Sequence, residues 1–437
     1  MKIHFIGIGG IGISGLAQYM QFKGHKVSGS DIKDTVITQK LRSLGIDVTV
    51  PHASSAISDQ DLVVHSAIIR PDNPEIVAAK AKGIEVLARR EALLKILDDQ
   101  KVYSVAGAHG KSTTTAILAS IMDGSTIIGA ESKAFGSNVR YDAKSDVMIF
   151  EADESDGSFL NSNPYCAIVI NAEPEHMEYY DYNYERFYDS YKTFIKSAKC
   201  RVLNAEDPFL ATLKDEVEAE WLYPSKDISN IEYVLINNEP HTRFTLRDLG
   251  SFDVWGFGKH IALDAALAIL AARESMDIET IREKLLTFKG IKKRFDIVGL
   301  EEKSVIIDDY GHHPTEIKAT FESVKEYAQL KGFDKITAIW QPHKYSRTID
   351  NLDAFIKCFE GADELIILPV WAASEAPREI DFEKKFKDYN LTMADSIKRA
   401  NNTITVVKDK KELEKLDRGL IIGFGAGDIT YQIRGVS

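Results

Sequence analysis

The stretch AGAHGKSTTT, residues 106–115, has the form of a phosphate-binding loop and decides the fold class of the middle of the chain. The apolar run 101–106 predicts a strand before the loop, and the spacing over 111–122 predicts a helix after it. In that context Gly110 allows close backbone approach, Lys111 can reach phosphate oxygens and the Ser112 hydroxyl can sit on Mg²⁺. The segment is shorter than the usual motif, because Val105 stands where its first glycine is expected.

Acidic residues follow the next predicted strand, VMIF at 147–150. The sequence EADESD then supplies four acids, Glu151, Asp153, Glu154 and Asp156. Four acids beside a bound phosphate predict a cation, whereas a solvated acidic loop is the plain alternative. The strand CAIVIN at 166–171 leads to His176, which is a candidate metal ligand when paired with Glu151 and otherwise a structural histidine.

A second glycine-rich loop, FIGIGGIGISG at 5–15, opens the chain. Gly7, Gly9 and Gly12 fit GxGxxG between a predicted strand, 2–8, and a predicted helix, 11–22. The amides at such a helix start bind a diphosphate, and Asp31 after the next strand is placed to accept from a ribose hydroxyl. The pattern alone admits a dehydrogenase, another nucleotide-binding protein, or glycines that serve packing only.

The length of 437 residues and the alternation of strands and helices predict an α/β protein of three domains. The first, 1–97, is predicted to be Rossmann-like and the second, 98–296, to have a P-loop ATPase-type, mostly parallel sheet. In the third, 297–437, the runs VIIDD, KITAIW, ELIILPV, TITVV and GLIIGFG predict another Rossmann-like sheet.

Composition and charge exclude several classes of protein. A net charge of −12 argues against nucleic-acid binding. Three cysteines lie far apart without a CxxC pair, so neither a disulfide framework nor a zinc site is expected. The sequence has no run of about 18 apolar residues, so no membrane span is predicted. The cytoplasm is the expected location.

Seven motifs together resemble the Mur ligases of peptidoglycan synthesis, and the resemblance covers essentially the whole chain. The first is HFIGIGGIGISG, and the other six are, in order, GAHGKSTTT, EADESDGSFL, NAEPEHMEYY, DDYGHHPTE, QPHKYSRT and GAGD. The resemblance implies that the first glycine loop holds the diphosphate of a UDP-sugar and that the central loop holds ATP. Two loops then serve two nucleotides, and no nicotinamide is needed.

The resemblance also implies a reaction, in which a carboxylate of UDP-N-acetylmuramate attacks the γ-phosphate of ATP. The acyl phosphate formed is displaced by the amino group of L-alanine. ATP and Mg²⁺ are the expected cofactors; UDP-N-acetylmuramate, L-alanine and ATP are the expected partners. A monomer or weak homodimer without a nucleic-acid or membrane partner is expected.

Roles for individual residues follow from the same resemblance. It implies catalytic roles for Lys111, His176, Arg294 and His312, with Arg294 steadying the acyl phosphate. It implies that Ser112 and Glu151 hold one Mg²⁺ and His176 a second, and that the amino acid is bound by Tyr310, His312, Lys344 and Arg347. It implies UDP-sugar binding by Gly7, Gly9, Gly10, Gly12 and Asp31, and ATP binding by Gly107, Ala108, His109, Gly110, Lys111, Ser112, Thr113 and His260.

The chain departs from the family pattern at several positions. Lys344 stands in place of an arginine, which replaces a bidentate carboxylate contact by a point charge. Ala108 and Ser112 stand in place of threonines, and Ile261 and Asp264 follow His260 where the family shows asparagines. Three alternatives stay open: a ligase that attaches a recycled murein peptide to the same UDP-sugar, a dehydrogenase using the first glycine loop, and a nucleotide sensor without catalysis. DESDGSFL favours a single amino acid over the peptide.

Overall fold

The computed structural model describes residues 1–436. The chain divides into two compact units. The first comprises Met1–Asn230, Thr245–Phe252 and Leu263–Lys289, and the second comprises Ile231–Phe244, Asp253–Ala262 and the chain from Gly290 onward. Over residues 1–436 no helix combines the length and apolar character that a bilayer crossing requires.

The first unit begins with a parallel five-stranded sheet of order β3-β2-β1-β4-β5. Its elements are β1 (Lys2–Ile6), α1 (Ile11–Phe22), β2 (Lys26–Ser30), α2 (Val36–Ser43), β3 (Asp47–Thr49), β4 (Leu62–His65), α3 (Pro74–Ala81), β5 (Glu85–Ala88) and α4 (Arg89–Ile96). Strand β1 is shorter than predicted because Gly7 takes a φ of 79°, which ends the extended backbone. The glycine loop follows β1 at the point where the strand order reverses, the usual ligand position in such sheets.

A seven-stranded sheet of order β12-β11-β10-β6-β9-β7-β8 follows in the same unit. Its elements are β6 (Lys101–Ala106), α5 (Lys111–Ile121), β7 (Ser125–Ser132), β8 (Ser137–Arg140), β9 (Val147–Glu151), β10 (Pro164–Val169), α6 (Tyr184–Ser197), β11 (Cys200–Asn204) and β12 (Glu220–Leu222). Only the β7–β8 pair is antiparallel, so the prediction of a mostly parallel sheet is confirmed. Strands β9 and β10 both border β6.

The region after β12 adds three strands. They form a three-stranded sheet of order β13-β14-β15. The elements are α7 (Pro224–Asp227), β13 (Ile228–Ile236), β14 (Glu239–Leu246), β15 (Ser251–Trp255), α8 (Lys259–Ala272) and α9 (Ile278–Leu285).

The second unit contains a six-stranded sheet of order β16-β17-β24-β18-β19-β20, parallel except for β16. The elements are β16 (Asp296–Leu300), β17 (Ser304–Asp309), α10 (Pro314–Lys331), β18 (Ile336–Trp340), α11 (Tyr345–Asp350), α12 (Leu352–Ile356), β19 (Glu364–Ile367), α13 (Phe382–Lys385), β20 (Leu391–Met393), β21 (Ser396–Ala400), β22 (Thr403–Lys408), β23 (Lys411–Leu416), β24 (Gly419–Phe424) and α14 (Ile429–Arg434).

The core of this unit lies on both faces of the six-stranded sheet. Val305 and Ile307 pack in the cluster that includes Phe321 of α10, whereas Ile306 packs in the cluster that includes Ile429 and Ile433 of α14. Adjacent residues of a strand point to opposite faces, so β17 is buried along its whole length because both faces are covered. The Rossmann-like prediction for this unit is therefore confirmed.

One predicted strand lies elsewhere. The run TITVV forms β22, which pairs antiparallel with β21 and β23 in a separate sheet. Its Ile404 and Val406 are buried, whereas Thr403 and Thr405 are partly exposed. This alternation is typical of a sheet covered on one face only, which explains why β22 is not a central strand of the six-stranded sheet.

Candidate active site

Three adjacent strands of the seven-stranded sheet end beside one another. The loop 107–110 follows β6, the acids of EADESD follow β9, and NAEPEH follows β10. Because β6 lies between β9 and β10 and all three are parallel, their carboxyl ends meet at one edge. The motifs that the sequence singled out separately therefore form one site.

The loop after β6 has a conformation that only glycine adopts readily at two positions. Gly107 and Gly110 have φ values of 149° and 85°. A Cβ atom on Gly110 would also lie 2.7 Å from Oδ1 of Asp264. Asn171 fixes the loop from the end of β10: the amide of His109 donates to Asn171 Oδ1, and Asn171 Nδ2 donates to the His109 carbonyl, both at 3.1 Å.

The side chain of Lys111 folds back over its own loop. Its Nζ donates to the carbonyl of Gly107 at 2.5 Å and lies 2.9 Å from Oε2 of Glu154. Burial lowers the pKa of Lys111, but attraction to Glu154 outweighs burial and the net shift is upward. The ammonium is therefore held charged at the place where the sequence predicted phosphate oxygens.

Glu154 is the most buried of the four acids, with 1% of its side chain exposed. Burial raises its pKa to about 7, and the charge of Lys111 opposes that rise. The Tyr180 hydroxyl donates to the backbone carbonyl of Glu154 at 2.6 Å and fixes this turn of the acidic segment. A carboxyl group that titrates near neutral pH is thus paired with the lysine of the loop.

Ser112 and Glu151, two of the predicted metal ligands, lie together. The amide of Gly129 donates to Oε2 of Glu151 at 2.7 Å. Burial raises the pKa of Glu151, while Lys111, Gly129 and a hydrogen bond with Ser112 act to lower it. A hydroxyl and a carboxylate are oxygen donors of the kind that Mg²⁺ prefers, so these residues fit that ion.

His176, which was predicted to hold a second Mg²⁺, lies in another group of possible metal ligands. Its imidazole and the carboxylates of Glu154 and Glu175 have ligand atoms within 4.8 Å of one another, and Glu151 is not in this set. The backbone of His176 has a φ of 52°, an uncommon conformation for a residue other than glycine. The turn after β10 therefore places the imidazole of His176 near the carboxylate of Glu154.

The first glycine loop is bound to Asp31. The amide of Gly9 donates to Asp31 Oδ2, and the amide of Ile32 donates to Oδ1, both at 2.8 Å. A Cβ atom on Gly9 would lie 2.7 Å from Asp31 Oδ2, so the contact itself requires glycine. The carboxylate that was predicted to accept from a ribose thus holds the loop in place in this structure.

In the second unit, three of the predicted residues surround Glu316. Its Oε1 accepts from Arg294 Nη1 at 3.0 Å, and its Oε2 accepts from the His312 amide at 3.1 Å. The Arg294 guanidinium lies 5.9 Å from the ring centre of Tyr310. Burial lowers the pKa of Arg294, but Glu316 and Asp309 outweigh it and the net shift is upward.

Arg347 extends this cluster through His343. Its Nη1 donates to His343 Nδ1 at 3.1 Å, and the rings of His343 and His312 lie 5.5 Å apart. Burial, with a contribution from the charge of Arg347, lowers the pKa of both histidines to about 4. Both imidazoles are therefore neutral at pH 7.

The two remaining predicted residues lie in the same unit. Lys344 has a φ of 66°, and its amide donates to the Trp371 carbonyl at 2.8 Å at the start of α11. His260 is exposed in the first turn of α8 and packs beside Gly258. The structure thus brings together Tyr310, His312, Arg294 and Arg347.

Several residues of the two clusters were not predicted. In the first unit they are Asn171, Glu175 and Asp264; in the second they are Asp309, Glu316 and His343. Asn171 had a usable signal, because it directly follows a predicted strand next to the loop. His343 and Glu316 lay inside quoted motifs, but nothing in their spacing separated them from structural polar residues.

The site of the first unit consists of a phosphate loop at the end of a central parallel strand and acids at the ends of both neighbouring strands. This arrangement defines the class of P-loop-type nucleotide-dependent α/β enzymes.

Comparison with known families and proteins narrows this class. The chain matches the model described as "Mur ligase family, catalytic domain" over residues 2–101, "Mur ligase middle domain" over 105–272 and "Mur ligase, glutamate ligase domain" over 293–424. It is 55% identical over 434 residues to the UDP-N-acetylmuramate--L-alanine ligase of Campylobacter curvus (strain 525.92), covering 99% of each chain. It is 52% identical over 438 residues to the ligase of the same name from Helicobacter pylori (strain P12), covering 99% of this chain and 96% of the relative.

Solved structures agree. The UDP-N-acetylmuramate-alanine ligase of Thermotoga maritima superposes with a TM-score of 0.80 at 27% identity, covering 99% of this chain and 97% of that one. The chain belongs to the Mur ligase family, as its motifs predicted. It is accordingly an ATP-dependent amide ligase of α/β fold, and the dehydrogenase and sensor alternatives have no support.

Proposed function

We infer that this chain joins L-alanine to the lactyl carboxylate of UDP-N-acetylmuramate, with conversion of ATP to ADP and phosphate. The observation that carries this conclusion is full-length similarity to ligases of that name. The first reaction step forms an acyl phosphate and ADP; in the second, the amine of alanine displaces phosphate and forms the amide.

The first step has an electrostatic obstacle, because an anionic carboxylate must approach an anionic phosphate. Two unit charges about 4 Å apart repel by roughly 4 kcal/mol at an effective dielectric constant near 20. Lys111 is the cation placed to offset this repulsion, once its ammonium exchanges the Glu154 carboxylate for phosphate oxygens. Residues 107–113 would surround the phosphates with backbone amides, as at other phosphate loops.

We propose that Ser112 and Glu151 hold a Mg²⁺ ion and that His176 serves a second ion together with Glu154 and Glu175. The proximity of Ser112 to Glu151 and the 4.8 Å cluster of ligand atoms support this assignment. Bound Mg²⁺ supplies positive charge that neutralises the transferred phosphoryl group. Lys111 is the cation that contacts Glu154 in this cluster.

For the second step we propose that the cluster around Glu316 binds the amino acid. Arg347 is the candidate for the alanine carboxylate, because a guanidinium presents two donors to a carboxylate. His312 is neutral at pH 7 and can therefore take the proton that the alanine ammonium loses before its free amine attacks. We assign Arg294 to the acyl phosphate, Tyr310 and Lys344 to the amino acid, and His260 to the adenine of ATP.

The UDP-sugar is proposed to bind at Gly7, Gly9, Gly10 and Gly12, with Asp31 holding the loop. Three domains, 1–97, 98–296 and 297–437, would then bind UDP-sugar, ATP and amino acid in turn. The cytoplasm is the proposed location because ATP and UDP-sugars are formed there, and a monomer or weak homodimer remains the proposed state. Similarity to single-amino-acid ligases supports L-alanine over a recycled murein peptide as the substrate.

Phosphate release by the full-length chain tests this function. We expect release only when ATP, Mg²⁺, UDP-N-acetylmuramate and L-alanine are all present, with a mass increase of the UDP-sugar equal to one alanyl residue. Glycine, L-serine and the murein tripeptide are the comparison substrates. Faster release with the tripeptide than with L-alanine would instead identify a recycling ligase, and release without any amine would contradict amide formation.

A further inference from the structure

One arginine lies between the first glycine loop and the acidic segment after β9 and has no role in the function proposed above. Arg89 is the first residue of α4, directly after β5. In a parallel sheet all strands end at the same edge, so this position lies at the edge where the loop after β1 begins. The side chain is 16% exposed.

One edge of the Arg89 guanidinium is held by the acidic segment after β9. Its Nη2 donates to both carboxylate oxygens of Asp156 at 3.0 Å, to Ser158 Oγ at 2.7 Å and to Asp153 Oδ2 at 3.3 Å. Burial lowers the pKa of Arg89, but Asp156 and Asp153 outweigh it and the net shift is upward. The guanidinium is thus a fixed, charged group.

The other edge faces the first glycine loop. A Cβ atom on Gly12 would lie only 2.1 Å from Nη1 of Arg89, which places this nitrogen against the first turn of α1. Among residues 1–436, the hydrogen bonds of the guanidinium all come from Nη2, and Nη1 makes none. A partly buried cation with unused donors beside a diphosphate-binding loop is arranged for an anion.

We propose that Arg89 binds an anionic oxygen of the sugar nucleotide through Nη1, and that Asp156 and Asp153 position it for this contact. The inference rests on the proposed function, since it requires a UDP-sugar at the first loop. Both the diphosphate and the lactyl carboxylate offer such oxygens. The position of Nη1 against Gly12 favours the diphosphate.

The same contacts connect the two nucleotide sites. Asp153 bonds to Arg89 and also contributes to the electrostatic environment of Lys111. An anion bound at Nη1 would contact the same guanidinium that Asp153 and Asp156 bind through Nη2.

Calorimetric binding to the full-length chain tests the proposal with three ligands: UDP-N-acetylmuramate, UDP-N-acetylglucosamine, which lacks the lactyl carboxylate, and UDP. In Arg89→Gln we expect the Kd for UDP-N-acetylmuramate to rise about 10- to 100-fold, the effect of losing a charge-assisted hydrogen bond. An equal rise for all three ligands identifies the diphosphate; a rise confined to UDP-N-acetylmuramate identifies the carboxylate. Unchanged Kd values for all three overturn the proposal.

Controls separate binding from folding and from the proposed function. Arg90→Gln changes the exposed neighbouring arginine and should leave every Kd unchanged. A non-hydrolysable ATP analogue should bind Arg89→Gln as tightly as the unmodified chain, which shows that the variant is folded. If the unmodified chain binds no UDP-sugar, the proposed function itself fails, whereas tight binding that is insensitive to Arg89 overturns only this inference.

Two further variants test how Arg89 is positioned. Asp156→Asn should raise the Kd for UDP-N-acetylmuramate several-fold without changing that for the ATP analogue, because Arg89 keeps its charge but loses its main partner. Gly12→Ala should displace Nη1, and in an Arg89→Gln background it should add little further loss. Fully additive effects of Gly12→Ala and Arg89→Gln would contradict the contact between them.

Discussion

The ammonium of Lys111 and the carboxylate of Glu154 form a buried pair 2.9 Å apart at the centre of the phosphate loop. The pair keeps a cation in the loop without exposing an uncompensated buried charge, which would be costly. ATP binding must therefore exchange one anionic partner of Lys111 for another. ATP binding at the loop therefore depends both on the lysine itself and on the protonation state of Glu154.

Removal of the lysine should abolish most of the activity. Lys111→Ala is expected to lower kcat/KM for ATP by about 10²- to 10³-fold, the typical effect of losing one preorganised group that stabilises developing charge. The Kd for UDP-N-acetylmuramate should stay within twofold, because the first glycine loop lies on another sheet. Phosphate release and calorimetry measure the two quantities. Lys144→Ala, at an exposed lysine, serves as the control, and a parallel loss of UDP-sugar binding would count against separate sites.

Glu154 should make stability fall as pH rises through neutrality. Its pKa of about 7 in the folded protein lies above the ordinary glutamate value of 4.5, so between these pH values the folded protein keeps a proton that the unfolded chain releases. The stability that this proton contributes is complete below pH 4.5 and is lost as pH rises through 7. Urea unfolding of the unliganded chain at pH 5, 6, 7 and 8 measures the slope.

Glu154→Gln should flatten that slope, because an amide does not titrate in this range. Glu178→Gln, at an exposed position between β10 and α6, should reproduce the unmodified profile. An unchanged slope in Glu154→Gln would show that another group is responsible.

Arg347 should control both amino-acid binding and the neighbouring histidines. Arg347→Gln is expected to raise the KM for L-alanine about 10- to 100-fold, with the KM for ATP unchanged, because it removes a charge-assisted contact. It also removes a charge that, after burial, helps to hold the pKa of His312 near 4. That pKa should therefore move upward, which NMR titration of the imidazole measures. Arg378→Gln, at an exposed arginine, should change neither quantity.

Glu75 should stabilise the first sheet at neutral pH. Its buried carboxylate accepts from His4 Nε2 at 3.2 Å, from Ser30 Oγ at 2.5 Å and from the Ala53 amide at 2.9 Å. Burial alone would raise its pKa, but these hydrogen bonds outweigh burial and the net shift is downward. Its contribution to stability is therefore present above pH 4.5, the ordinary pKa of a glutamate, and is lost as pH falls through the lowered pKa of the folded protein.

Glu75→Ala should cost about 3–5 kcal/mol in free energy of unfolding at pH 7, as expected when one member of a buried pair is removed. The difference from the unmodified chain should shrink toward pH 3. Thermal or urea unfolding across pH 3–7 measures it. Asp59→Asn, which breaks the exposed ion pair with Lys2, should have little effect at any pH. A constant difference between Glu75→Ala and the unmodified chain would exclude titration of Glu75.

The sequence by itself determined the two glycine loops, the strands that precede them and the parallel character of both Rossmann-like sheets. These features are local: a fixed spacing of Gly107, Gly110 and Lys111 after an apolar strand specifies a phosphate loop whatever surrounds it. The helix Ile11–Phe22 was predicted to the residue, since Gly10 precedes it and Gly24 follows soon after it. Family membership followed from the order of the motifs.

Only the tertiary structure decided which of these residues meet. Glu154 was one of four similar acids in the sequence, and its burial beside Lys111 depends on how the turn after β9 packs against Tyr180. His176 joined Glu154 rather than Glu151 because its left-handed backbone redirects the turn after β10. Arg89 lies outside every motif that the sequence offered. Contacts between distant segments depend on sheet order and on desolvation, and neither is encoded in local spacing.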